Sequence, residues 1–251
     1  GSTASLFSAW SLATVDRHFQ WMTDYGIDGV FLQEFVVELE EGSVLRAFRD
    51  KVTANVHASA EAHGRVFAVM YDLSGASNEV IYERVVSHWK HLVDTGVIDS
   101  DRYLQHHGSP LVGLWGLGFA GRDLDPDLAE DLISFFHAPS DPAYAAHVLG
   151  GVSADWRSFQ GGASADPGWN QIYRSLDILS PWSVGRYTDD AGVESYRSGV
   201  LEGDLAETAA NGVDYLPVVW PGFSWANLFK GQPLNQIPRR GGRLFWKQVY
   251  E

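Results

Sequence analysis

Carboxylates, amides and aromatic rings recur in this chain where apolar runs end. Such ends fall at Gln33-Glu34, at Tyr71-Asp72, at Trp115, and at Trp182 with Arg186 and Tyr187 close behind. Another falls at Trp220, with Trp225 and Asn227 on the loop beyond. This mixture suits sugar recognition, because flat rings cover the apolar face of a pyranose while polar groups fix its hydroxyls. Each Trp taken singly fits a core or rim position equally well. Recurrence at the same end of successive runs is what carries the reading. The densest stretch is Tyr215–Gln248, YLPVVWPGFSWANLFKGQPLNQIPRRGGRLFWKQ, in which an apolar run stops at Pro221-Gly222 and an aromatic loop follows. Arg186 could meet an anionic sugar or simply hold a structural ion pair.

Other chemistries find less support. Gly116-Leu-Gly-Phe-Ala-Gly121 matches G-x-G-x-x-G, the dinucleotide fingerprint. It lies far along the chain, however, its helix starts late, and no strand-end carboxylate follows about 20 residues on. A tight strand-end turn lining a cleft is the better reading. His106 and His107 are adjacent and would point apart on a strand. There is no G-x-S-x-G elbow, and no cysteine, which removes disulfides and thiolate metal ligation. No metal or cofactor is expected. The net charge of −14 disfavours nucleic acid and anionic membrane as partners. No apolar run approaches the roughly 20 residues that span a bilayer.

The elements that would position these residues alternate regularly. Helical periodicity over 14–25, 43–63, 78–94, 127–137, 169–175 and 200–211 is interleaved with strand-like runs over 28–35, 65–72, 110–115, 147–152, 177–183 and 215–220. Near-continuous apolar runs such as Val66–Tyr71 suit parallel strands covered on both faces. With 251 residues, 45% hydrophobic and without an internal linker, the chain reads as one α/β domain over 1–251. An open doubly wound sheet and a (β/α)8 barrel both fit, although six units fall short of eight.

Five stretches decide between them by likeness. HFQWMTDYGIDGVFLQEF (18–35), GRVFAVMYDLSG (64–75), PLVGLWGLGF (110–119), LSPWSVGRY (179–187) and the 215–248 segment resemble the glycoside hydrolase family of endo-α-1,2-mannosidases, in its bacterial xylosidase/arabinosidase-like branch. The resemblance implies a (β/α)8 TIM-barrel-type fold of which about six β/α units are visible here. It also implies metal-independent, retaining hydrolysis of α-linked, mannoside-like glycans. Where the Golgi endomannosidases carry a carboxylate motif, this chain offers Tyr71-Asp72, so Asp72 becomes the candidate catalytic acid. Gln33, Glu34, Tyr71, Trp115, Trp182, Arg186, Tyr187, Trp220, Trp225 and Asn227 become candidate sugar contacts. A basic residue is expected where Glu34 stands.

The family's catalytic glutamate pair is expected on a strand beyond Glu251, and its first strand before Phe7. The rival expectation is therefore a carbohydrate-binding barrel without catalysis. Uncovered sheet edges would favour self-association, and a secreted or periplasmic location is expected.

Overall fold

The computed structural model describes residues 7–226 and 228–251. They form two compact units, one of residues 7–117 and 122–150 and the other of 118–121 and 151–251. The sequence reads as a single domain with no linker, and no linker separates the units, because the chain passes between them inside a loop and inside a strand.

In the first unit, α1 (Leu12–Tyr25) turns Val15, Phe19 and Met22 inward. It stops at Gly26, whose φ of 68° is the left-handed conformation that glycine adopts at least cost. β1 (Gly29–Phe35) leads to α2 (Val44–His63), capped by the Ser43 side chain accepting from Arg46 N–H. β2 (Val66–Asp72) leads to α3 (Asn78–Asp94). A short strand β3 (Gln105–His106) then pairs antiparallel with β4 (Ser109–Leu117). Two positive φ values, 48° at His107 and 83° at Gly108, make the tight turn between them. α4 (Pro126–His137) starts with Asp125 as its capping acceptor and proline in its first turn, and β5 (His147–Ser153) follows.

β1, β2 and β4 run parallel, with Gln33 opposite Met70, Phe35 opposite Asp72 and Asp72 opposite Trp115. Gly113 permits this close packing, since a Cβ there would lie 2.7 Å from Met70 Cγ. Side chains alternate across the sheet, so its two faces differ. One face carries Phe67, Val69, Tyr71, Val112 and Leu114, all fully buried against the helices. The other carries Gln33, Phe35, Met70 and Trp115, which remain half-exposed.

In the second unit, α5 (Trp169–Ser175) precedes β6 (Ile178–Trp182). α6 (Asp190–Tyr196) runs through a π-helical turn at Arg197–Leu201 into α7 (Glu202–Asn211). The helical expectation began only near Val200, and α6 with the π-helical turn ahead of it went unread. β7 is confined to Asp214–Tyr215, parallel to Ile178–Leu179 of β6. This corrects the expected strand over 215–220. Pro217 lacks the N–H that a continued ladder needs, and the chain leaves the sheet there. α8 (Arg243–Tyr250) closes the described chain. A core of Tyr187, Val193, Trp220, Ile237 and Leu244 underlies this end of the unit. Among the described residues, no helix is long and apolar enough to cross a membrane.

Candidate functional site

At the carboxyl ends of β1, β2 and β4, the half-exposed face gathers a polar group around Asp72. Gln33 Nε2 donates to Asp72 Oδ2 at 2.5 Å, and Ser74 N–H donates to Oδ1 at 2.8 Å. Both oxygens thus accept one bond each and keep lone pairs for further donors. Ser74 Oγ in turn accepts from Arg122 Nη1 at 2.5 Å. That guanidinium passes over Gly116, where a Cβ would lie 2.6 Å from Nη1. Trp115 sits beside Asp72 in register and on the same face. The arrangement holds a carboxylate as a hydroxyl acceptor, next to a ring and a cation.

Glu34 and Tyr71 are not brought to this group. Each lies one residue from a member of it and therefore points to the opposite face, into the helix layer. Glu34 is wholly buried and accepts from Thr53 Oγ1 of α2 at 2.8 Å, while its Oε2 has no hydrogen-bond partner among the described residues. Arg49 Nε stands 3.9 Å from that oxygen. Burial outweighs these partners and pushes the Glu34 carboxyl up to about 7. Tyr71 Oη is 2.9 Å from His88 Nδ1, and His88 Nε2 faces Asp50 Oδ1 at 3.6 Å. Burial raises the Tyr71 phenol and lowers the His88 imidazole. Asp50 is held down to about 2, because the Arg46 hydrogen bond at 2.8 Å and the nearby His88 outweigh its partial burial.

The second unit places its candidates just as selectively. Trp182, the last residue of β6, and Trp225 are 42% and 41% exposed, which leaves ring surface to offer a ligand. Trp225 makes edge contacts with Phe223 and Phe229, and its backbone N–H donates to Gln236 Oε1 at 2.6 Å. Phe223 and Ile237 exchange both backbone hydrogen bonds at 3.0 Å and close the base of this loop. Tyr187 and Trp220 are core residues instead, with ring centroids 5.2 Å apart and both tied to Gln248 of α8. Arg186 Nη2 pairs with Asp155 Oδ2 at 2.5 Å. Asn227 lies outside the described residues.

No family model matches the chain, and no curated protein matches it either. Solved structures do. One is the GH99 endo-alpha-mannosidase of Bacteroides thetaiotaomicron in complex with BIS-TRIS-propane, at 14% identity and a TM-score of 0.68, covering 97% of this chain and 67% of that one. Another is a glycoside hydrolase-like protein at 11% identity and a TM-score of 0.67, covering 97% of this chain and 72% of that one. The chain shares their fold. It is an α/β fold of the TIM-barrel type, in which sites are built at the carboxyl ends of the parallel strands.

In a barrel of this type Gln33, Asp72 and Trp115 occupy the strand ends that build sites, and Glu34 and Tyr71 face the helices. Two residues escaped the sequence reading. Arg122 sits just past the G-x-G-x-x-G run, and its signal was the run of glycines that a passing side chain requires. Asp155 follows β5 by two residues and sits against Gly161 and Gly162. Within the glycine run, Ala120 N–H donates to Gly162 O at 2.9 Å and Gly118 packs against Tyr173, so part of the run is committed to packing the loop.

Proposed function

We propose that the chain acts as a glycoside hydrolase on α-linked, mannoside-like glycans, with retention and without a metal. The observation that carries the reading is Asp72. It is a strand-end carboxylate oriented by Gln33 and Ser74 beside Trp115, in a fold shared with an endo-alpha-mannosidase. Asp72 meets the substrate by accepting from sugar hydroxyls, since both its oxygens are set as acceptors. Trp115 covers an apolar sugar face, and Arg122 keeps Ser74 in place. Trp182 and Trp225 supply exposed rings in the second unit. The turn of Glu34 into the helix layer leaves Asp72 without a carboxylate partner on its own face of β1 and β2. This favours orientation of the substrate over proton transfer as the task of Asp72. A glycan-binding barrel without catalysis is the second reading.

Incubation of the purified chain with α-linked mannooligosaccharides, with and without a chelator, tests both readings. Product of retained configuration, formed equally with chelator present, would select the first reading. Binding that Asp72→Asn abolishes, with no product, would select the second reading, and absence of binding would refute both.

A further inference from the structure

The ion pair at the end of β5 in the second unit is built more closely than a surface pair requires. Asp155 Oδ2 accepts from Arg186 Nη2 at 2.5 Å and from the backbone N–H of Gly162 at 2.7 Å. Asp155 N–H donates to Ser153 Oγ, on the last residue of β5, at 3.2 Å. Gly161 adopts a φ of 57°, and a Cβ there would lie 2.7 Å from Asp155 Oδ2. A Cβ on Gly162 would lie 2.8 Å from Arg186 Nη2 and 3.0 Å from Ser153 Oγ. Two consecutive glycines are thus needed to wrap the chain around the pair. A solvent-accessible ion pair contributes little to stability, so stability alone does not explain so constrained a loop.

The chemistry left over is directional. Asp155 Oδ1 accepts from none of the described residues, and Arg186 keeps Nε and Nη1 unused among them. Both side chains stay accessible, with 26% of Asp155 and 36% of Arg186 exposed. The dyad therefore presents an acceptor and a donor side by side, fixed in orientation by the shared Oδ2. Two adjacent sugar hydroxyls are complementary to that pattern, one donating to Asp155 and its neighbour accepting from Arg186. A sugar carboxylate is not complementary, because it can only accept, and Asp155 would stand next to it. The net charge of −14 works in the same direction.

We propose that the Asp155–Arg186 dyad is a subsite for a vicinal hydroxyl pair on a neutral sugar and selects against uronates. The proposal rests on the glycan reading above and deepens it.

Calorimetric titration of the chain with α-linked mannotriose and, separately, α-linked galacturonotriose tests it. The neutral trisaccharide should bind the more tightly. Asp155→Asn and Arg186→Met should each weaken it by about tenfold or more, while melting temperatures move little. Asp155→Asn should also shift the preference toward the uronate, a change that a purely structural pair would not produce. If Arg186→Met fails to fold, the near-isosteric Asp155→Asn carries the test alone. Equal mannotriose binding by wild type and variants would overturn the subsite and leave the role of Asp72 standing. Tighter binding of the uronate by wild type would overturn the selectivity. Binding of neither sugar would overturn this inference together with the function on which it rests.

Discussion

Residues 33 and 34, and again residues 71 and 72, are chain neighbours that end up on opposite faces of one sheet. Gln33 and Asp72 meet on the half-exposed face at 2.5 Å. Glu34 and Tyr71 enter the helix layer, where every neighbour is protein. The same residue types thus do opposite work. On one face the Asp72 carboxylate, 6% exposed, is held by two donors and keeps acceptor capacity; on the other the wholly buried Glu34 carboxyl favours its proton. Position on the pleat, rather than residue type, separates the residues proposed for recognition from those that serve stability in this unit.

The sharpest way to break that comparison is Tyr71→Ala. Loss of a fully buried ring should cost about 3–5 kcal/mol in denaturant unfolding, and a loss near zero would mean that Tyr71 does not belong to the core. Asp72→Asn should do the reverse, weakening α-mannooligosaccharide binding by about 100-fold, or about 2.7 kcal/mol, with the unfolding midpoint nearly unchanged. A large drop in that midpoint would erase the distinction between the faces.

Glu34→Gln comes next, and its effect depends on pH. The folded carboxyl titrates near 7 and so favours the protonated form relative to the unfolded chain. Its stabilising contribution is complete below about pH 4.5 and is lost as pH rises through about 7. The amide mimics the protonated acid, so the variant should match wild type at pH 4.5 and exceed it by about 3 kcal/mol at pH 8. Asp50 sets the other limit, since its carboxyl is held near 2 and its contribution fades as pH falls below about 4. Equal pH profiles for wild type and Glu34→Gln would show that Glu34 is solvated. The smallest effect is expected from Tyr71→Phe, which removes only the hydrogen bond to His88 and should cost about 1 kcal/mol.

Much of this architecture was legible in the sequence, and the misses have physical causes. The strands over 28–35, 65–72 and 147–152 lie within a residue or two of those observed, because long apolar runs with a glycine stop leave little freedom. The run from Tyr215 to Trp220 misled, since only Trp220 enters the core near α8, Leu216 stays exposed, and Pro217 ends the ladder. The β3–β4 hairpin went unseen because His107, a residue seldom found at positive φ, shares its turn. For the site, listing strand-end residues together found Asp72, Gln33 and Trp115. Applying the two-residue alternation of a strand to the same listing would have set Glu34 and Tyr71 apart. Arg122 and Asp155 sit on loops, where no periodicity says which way a side chain turns.

The paired backbone hydrogen bonds between Phe223 and Ile237 also bear on how this chain can change over evolution. They fasten both ends of the segment that carries Trp225, Phe229 and Leu234, so what lies inside the clasp is decoupled from β7 and α8. Doubling the length of such a closed loop costs only about 0.6 kcal/mol. The segment can therefore lengthen, shorten or exchange its aromatic residues while the surrounding framework stays intact. If the chain binds glycans as proposed, descendants of this barrel would diversify that preference first at this cassette.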